Sequence, residues 1–437
     1  MKNATETRSD ALVPRHAAEQ VQQSLQEAPV VVVNGPRQAG KTTLVRDQVL
    51  PLVGGSFVTL DDEVQLQACL ADPVTFIDRE SPVVIDEFQR AGDSLLRTIK
   101  ADVDRKRTPG RFLLTGSTRF LTLSRISESL AGRVHIVDLW PFSQGEAKRL
   151  GPESDTLLPA LFDSPSVIRR LGRRPMPTRR EILDRICRGG YPEAQYLDPA
   201  ARRRFFANYL RTVTLRDVPE ISRIRHLDEL PRILRLLAAA TAQEINDADL
   251  AARLNIDRRT LRANYLPLLH TVYLAHEVPA WSRNLVSRVS KRSKSYLADT
   301  GIAAHLLGVD AERIAQPTAV ATGPLMETFT VNELVRQVAR FGAELGVSLF
   351  HYRAHTGSEI DLVIEGDDGR TVGIEIKAAA SVRAEDFRHL VGLRDRLDGL
   401  RDARFVRGVL FYAGSQALGF GDRLEALPVA SLWLPPV

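Results

Sequence analysis

The sequence predicts an α/β fold in two units with a helical region between them. Short apolar runs alternate with helical patterns as far as about Leu150, and a second alternation opens near Gly323. From about Glu181 to Gly308 helical patterns dominate. The length of 437 residues fits about three domains of ~150 residues. The boundaries read from these shifts are 17–150 for the first α/β unit, 151–180 for a Pro- and Arg-rich connector, 181–310 for the helical region and 320–437 for the second α/β unit.

Residues 1–16 read as disordered, and a short helix is expected before the first strand. The strands of the first unit are PVVVV, SFVTL, PVVIDE, RFLLTG and VHIVDL. Such short, unbroken apolar runs suit parallel strands buried on both faces. With 44% hydrophobic and 26% charged residues the composition is that of an ordinary globular protein, so an adequate core is expected. The only cysteines, Cys69 and Cys187, follow no pattern, which argues against a zinc site or a disulfide scaffold. No apolar run approaches the ~18 residues of a membrane span, and no apolar segment opens the chain as a signal peptide would. A cytoplasmic protein without membrane contact is the expectation. The net charge of +5 and a pI of about 9.3 favour a polyanionic partner without demanding one.

Chemistry enters at Gly35-Pro36-Arg37-Gln38-Ala39-Gly40-Lys41-Thr42, which fits G-x-x-x-x-G-K-[ST] between an apolar strand and a helix. The glycines let backbone N–H groups wrap phosphates, and the helix, continuing through Thr43, offers the positive end of its dipole. Lys41 should reach the β- and γ-phosphates of ATP, and the Thr42 hydroxyl should bind Mg²⁺. PVVIDEF ends a second strand in Asp86-Glu87. Asp86 would hold the Mg²⁺ through water, and Glu87 would polarise the attacking water. The strand RFLLTGS ends in Thr115-Gly116-Ser117, and Ser117 is the candidate for sensing the γ-phosphate.

An acidic pair after the second motif, without an Asn-Lys-x-Asp, makes this unit resemble an AAA+ ATPase. SESLAGRVHIVDLWPFSQGE, GGYPEA, TLRDV and YLADTG are similar to segments of bacterial and archaeal AAA-type ATPases that carry an uncharacterised C-terminal domain. The resemblance covers nearly the whole chain. It implies an arginine finger at Arg133, ahead of the last core strand, donated to a neighbouring subunit of a homo-oligomer.

EINDADLAARLNIDRRTLRANYLPLL (Glu244 to Leu269) reads as two helices joined by a tight turn at Asn255-Ile256-Asp257. Leu250, Ala251, Leu254 and Ile256 would pack on Leu261, Tyr265 and Leu268. That is a helix-turn-helix pattern, and TVYLAHEVPA resembles a following strand, which makes the region winged-helix-like. Arg258, Arg259 and Arg262 open the second helix and are the candidate contacts to DNA phosphates. The basic run Arg283, Arg288, Lys291, Arg292 and Lys294 adds weight, although charge runs are usually solvated faces. AAA+ lids also use such units for packing alone.

In the last unit, EIDLVIE and GIEIKA flank the turn sequence GDDGR, so an antiparallel hairpin is expected. Glu375 and Lys377 share a strand face, and pairing brings Asp361 beside Glu375. Two adjacent carboxylates suit a hard divalent cation such as Mg²⁺. Lys377 would orient or activate a water for attack on a phosphodiester. The preceding helix carries Glu327 and Glu333, about 120° apart around its axis. The run resembles the restriction-endonuclease-like PD-(D/E)XK fold, and especially the archaeal Holliday-junction resolvases. There a Gly stands four before the helix Glu, which selects Gly323 and makes Glu327 the third metal carboxylate; no Pro precedes Asp361 here.

The function implied is ATP binding and hydrolysis coupled to DNA binding, or to metal-dependent processing of a branched or broken duplex. The alternative is a non-cutting nucleotide-dependent switch, regulatory or defence-linked, whose inactive nuclease fold serves for binding. A metabolic P-loop kinase is disfavoured, because no acceptor-substrate motif is evident.

Overall fold

All five apolar runs of the first unit form strands: β1 Val30–Asn34, β2 Ser56–Thr59, β3 Val83–Asp86, β4 Phe112–Gly116 and β5 Val134–Asp138. They pair in parallel in the order β2-β3-β4-β1-β5. Val30 and Val32 join a cluster with Ile85 and Leu114 on one side of the sheet. Val31 and Val33 join Val84 and Leu113 on the other. Both faces are covered, which is why the runs lack polar alternation. The structure, a computed structural model, describes residues 12–119, 130, 132–163, 166–172, 174–222, 227–282, 284, 288, 291–354, 357–400 and 404–436. Among these no helix is long and apolar enough to cross a membrane.

Two segments depart from the sequence expectation. Arg15 and His16, inside the stretch read as disordered, are buried ahead of the helix Ala17–Glu27. Their polar character misled because their partners are distant: Arg15 bonds to Glu146, 131 residues away. The supposed connector holds two short helices, Leu157–Asp163 and Val167–Leu171. Leu157, Leu158, Leu161 and Phe162 are buried in the core of the helical region and the second sheet, so the segment is a packed strut.

In the helical region, the helix Asp247–Leu254 ends at Asn255, whose φ of 56° lies in the left-handed region that Asn tolerates. Asp257 then accepts from the Thr260 N–H (2.9 Å) and caps the run Arg258–Thr260, Leu261–Tyr265 and Leu266–Thr271. Leu250, Ala251, Leu254, Leu261, Tyr265 and Leu268 share one core, with Ile256 packed against it. The strands β6 Gln243–Glu244, β7 Ala275–Val278 and β8 Lys294–Leu297 form an antiparallel sheet in the order β6-β8-β7.

The last unit is a six-stranded mixed sheet of β9 Val347–Arg353, β10 Glu359–Gly366, β11 Arg370–Lys377, β12 Arg404–Tyr412, β13 Leu418–Gly419 and β14 Leu424–Pro428. Its order is β13-β14-β12-β11-β10-β9. The long helix Thr322–Leu345 covers the face carrying Leu362, Ile374 and Phe411. The helix Arg388–Asp398 covers the face carrying Val363, Phe405 and Leu410. The expected hairpin forms between β10 and β11, with Leu362 opposite Ile374.

The segments GGYPEA and YLADTG meet in space. The buried Asp299 carboxylate accepts from the N–H groups of Gly190 (2.6 Å) and Ile302 (3.0 Å). Gly189 takes a φ of 71°, and a Cβ there would strike the same carboxylate. The Gly190 carbonyl accepts from Phe142 N–H (2.8 Å), just beyond β5. These motifs therefore fasten the helical region to the exit of the first sheet.

Candidate nucleotide site and carboxylate cluster

β1 delivers the Gly35–Thr42 loop at the carboxyl edge of the parallel sheet, where open α/β sheets bind ligands. Gly40 adopts a φ of 93°, open only to a residue without a Cβ, and a helix opens at Lys41. The buried Lys41 ammonium donates to the carbonyls of Gly35 and Pro36, each at 3.1 Å. Burial lowers its pKa, against the pull of Glu87 and Asp86.

Asp86 ends β3, and its carboxylate accepts from the hydroxyls of Thr42 (3.0 Å), Thr59 (3.1 Å) and Thr115 (2.5 Å). Thr59 and Thr115 stand near the ends of the two strands that flank β3, so the sheet itself fixes this carboxylate. Two adjoining oxygen donors, Thr42 and Asp86, fit a hard cation such as Mg²⁺. Sequence reasoning passed over Thr59 and Thr115; the signal was a hydroxyl residue closing each neighbouring apolar strand.

Glu87 has a φ of 54°, a left-handed backbone that costs a non-glycine residue about 1–3 kcal/mol and clusters at functional sites. Its N–H donates to Thr115 Oγ1 (3.1 Å). The Gln89 amide donates both to Glu87 Oε2 and to Ser117 Oγ (3.2 Å), so one side chain spans the two predicted residues. Burial raises the pKa of Glu87, while Lys41 holds it down.

Further contacts tie the loop to the segment after β5 and beyond. The Arg15 guanidinium donates to the Ala39 carbonyl (2.6 Å), the Trp140 carbonyl (2.7 Å) and Glu146 Oε1 (3.0 Å). His16 Nδ1 stands 2.8 Å from Asp155 Oδ2. Burial would lower the pKa of His16, but Asp155 and Glu146 together raise it. The Gln144 N–H donates to Glu333 Oε2 (3.0 Å), and Arg336 pairs with Glu333 (3.1 Å). Glu333 therefore docks its helix on the segment leaving β5. Arg37, in the loop itself, pairs with Asp217 of TLRDV at 2.8 Å.

Arg133 lies at the opposite end of the sheet. Its carbonyl accepts from Val30 N–H (3.2 Å), where β1 begins, and its guanidinium pairs with Asp104 (2.6 Å). One five-residue strand, roughly 13–17 Å, separates it from the loop of its own chain. Residues 120–129 and 131, just before Arg133, fall outside the described residues.

In the last unit Asp361, Glu375 and Glu327 gather where β10, β11 and the long helix meet. Asp361 Oδ2 accepts from Ile376 N–H (2.8 Å). A lysine of another sheet enters among them. Lys294 of β8 is 1% exposed. Its Nζ stands 2.9 Å from Glu327 Oε1, 2.9 Å from Glu359 Oε1 and 3.7 Å from Asp361 Oδ1. Tyr296, also on β8, donates its hydroxyl to Glu327 Oε1 (2.8 Å). Glu375 Oε1 is buried without a hydrogen bond, with His389 Nδ1 3.4 Å away. Burial and then the Asp361 charge push the Glu375 carboxyl up to about 9 and that of Glu327 to about 7. Burial opposes the charged form of Lys294, but the three carboxylates outweigh it and raise its pKa.

Glu327, Asp361 and Glu375, expected to hold a divalent ion, stand together with the Lys294 ammonium among them. Among the described residues no group of three or more His, Cys, Asp or Glu side chains is arranged to hold a metal. The Lys294 ammonium pairs with Glu327 at 2.9 Å and lies 3.7 Å from Asp361. Lys377 is partly exposed and stands 3.7 Å from Asp386 Oδ1.

Of the candidate phosphate contacts, Arg258 and Arg259 are exposed, while Arg262 is exposed but lies 3.4 Å from Asp247. The basic run divides. Arg283 falls outside the described residues, Arg288 pairs with Glu365 (2.5 Å) and Lys294 is buried. Lys291 and Arg292, with Arg353 and His351, line a cleft of about 360 Å³ that also includes Glu244 and Gly357. Arg353 lies 4.0 Å from Glu359, so the cleft abuts the carboxylate cluster.

Comparison with known proteins follows these three regions. The AAA domain family matches residues 27–148, a domain of unknown function (DUF8612) matches 179–313, and another (DUF4143) matches 322–432. Uncharacterized protein Rv2008c of Mycobacterium tuberculosis and Uncharacterized protein Mb2031c of Mycobacterium bovis are each 30% identical over 423 residues, spanning 95% of this chain and 83% of theirs. The Walker-type ATPase PABY2304 of Pyrococcus abyssi matches at 17% identity and a TM-score of 0.41, covering 69% of this chain and 97% of its own. The Thermotoga maritima RuvB Holliday junction branch migration motor matches at 16% and 0.27, covering 61% and 90%.

Proposed function

The chain belongs to the family of the mycobacterial proteins Rv2008c and Mb2031c and carries an AAA-type ATPase domain, and from that premise we propose that it hydrolyses ATP to alter its hold on DNA. The observation that carries the ATPase half is that Thr42, Asp86 and Glu87 are tied together through Thr115, with Lys41 buried in the adjoining loop. The loop N–H groups and Lys41 bind the phosphates. Glu87, oriented by Gln89, takes the proton of the attacking water. Ser117, on the same amide, stands by for the γ-phosphate. Thr42 and Asp86 would hold the Mg²⁺, which supplies charge neutralisation between the phosphates. Arg133, remote from its own loop, serves the site of a neighbouring subunit.

Coupling to the rest of the chain runs through the segment after β5. Arg15 joins it to the phosphate loop, and Glu333 joins it to the long helix that also carries Glu327. The DNA half rests on charge. Arg258 and Arg259 open the second helix of a winged-helix-like unit, and the basic cleft of Lys291, Arg292 and Arg353 borders the PD-(D/E)XK-like carboxylates. Replacing Arg258, Arg259 and Arg262 with Ala together is expected to weaken DNA binding. It should flatten the slope of log K against log salt by about 0.9 for each phosphate no longer neutralised. Titrations at several salt concentrations measure this, and an unchanged slope would move the DNA away from this helix.

One observation favours the second reading, a nucleotide-dependent switch that binds without cutting: Lys294 lies among the carboxylates a nuclease would need for its metal.

A further inference from the structure

We propose that the Lys294 ammonium is the resident cation of the C-terminal carboxylate cluster, where it excludes a divalent metal and latches the β6-β8-β7 sheet to the last unit. The inference rests on the reading of Glu327, Asp361 and Glu375 as a PD-(D/E)XK-like set, and it deepens the non-cutting alternative.

A buried lysine is rare unless paired, and here two carboxylates stand at hydrogen-bond distance with a third just beyond it. An ammonium has three N–H donors. Carboxylate oxygens of Glu327 and Glu359 stand at 2.9 Å, with one of Asp361 at 3.7 Å. Tyr296, two residues along the same strand, adds a second contact from β8 to Glu327. Both side chains are buried, so the contact is part of the interior and is not a surface ion pair.

The same arrangement disqualifies the cluster as a metal site in this state. A divalent ion bridging Glu327 and Asp361 would stand within a few ångströms of the ammonium, and like charges at that distance repel strongly in a partly desolvated site. Glu375, which sequence pairing placed beside Asp361, keeps its Oε1 without a hydrogen-bond donor. The ammonium acts on it only through space, while Glu327 and Glu359 hold the close contacts. Lys294 also belongs to a different sheet from the carboxylates, so a movement of that sheet against the last unit would withdraw the cation and leave three acidic side chains facing one another. The cluster is therefore a latch when the lysine is in and a divalent-cation site when it is out.

The test is Mn²⁺ uptake by the nucleotide-free full-length chain, followed by loss of the free-ion electron paramagnetic resonance signal. Wild type and Asp361→Asn should take up the same amount. Lys294→Met should gain one site per chain, at least ~10-fold tighter than any in the wild type, because affinity follows ligand charge. Lys294→Met combined with Asp361→Asn should lose that site. One Mn²⁺ per wild-type chain that disappears in Asp361→Asn would overturn the proposal, whatever Lys294→Met does. So would a folded Lys294→Met protein, shown by a cooperative melt and retained ATPase activity, that gains no site. If Lys294→Met does not fold, the comparison of wild type with Asp361→Asn decides alone. ATPase and DNA-binding measurements on the same samples report separately on the function proposed above, so the two can fail independently.

Discussion

Lys41→Ala is expected to abolish measurable ATP hydrolysis and to weaken ATP binding. The side chain is the buried cation of the phosphate loop, held between the Gly35 and Pro36 carbonyls. Losing one preorganised donor at developing negative charge commonly costs ~10²–10³ in rate. Here the donor is also the main positive charge facing the β- and γ-phosphates, so the loss should lie at or beyond the upper end. Burial already disfavours the ammonium, so removing it carries no desolvation loss, and the fold should persist. Turnover and nucleotide binding measured beside a thermal melt separate the effects. Normal turnover in a folded Lys41→Ala protein would assign the phosphate cation elsewhere, with Arg37 the first candidate.

Glu87→Gln should keep ATP bound and slow its hydrolysis at least ~100-fold, since a lost general base typically costs 10²–10⁴. The substitution is nearly isosteric, and Gln meets the left-handed backbone at position 87 on the same terms as Glu. The hydrogen bond from the Gln89 amide changes, because an amide nitrogen placed there cannot accept it. Ser117, which shares that amide, should therefore lose some order together with the base. Single-turnover kinetics and nucleotide retention are the readouts. Normal turnover would remove Glu87 from the role of water activator.

What the sequence made legible follows a physical pattern. The five strands of the first sheet were plain because burial on both faces demands unbroken apolar runs. The phosphate loop was plain because its glycines, lysine and threonine are adjacent in the chain. The approach of Asp361 to Glu375 followed from hairpin register, with Leu362 opposite Ile374 at the neighbouring position. The features that escaped depend on partners far away in the chain. Arg15 and His16 sit in a polar stretch that composition alone assigns to solvent, yet they join the phosphate loop to Glu146 and Asp155. Lys294 looked like one more charge in a basic run, and only the tertiary fold brings Glu327, Glu359 and Asp361 around it. Glu333 shares a helix with Glu327, about 120° away around its axis. It docks on the segment leaving β5, on a different side of the same helix.

The proposed coupling would run along those long-range contacts. The phosphate loop, the segment after β5 and the helix Thr322–Leu345 are joined by Arg15, Glu146, Gln144 and Glu333. A nucleotide-driven shift at the loop would be felt at the helix that carries Glu327, and hence at the Lys294 latch.

The most direct measurement is steady-state ATP hydrolysis by the wild-type chain at low salt, alone and with single-stranded, duplex, nicked and branched DNA or with RNA. Binding of each ligand is recorded in the same samples. A chain that couples ATP to DNA should bind at least one of the DNAs and hydrolyse ATP faster in its presence, and the stimulation should fade as salt rises. An ATPase rate unmoved by every ligand, with none bound at low salt, would contradict the account.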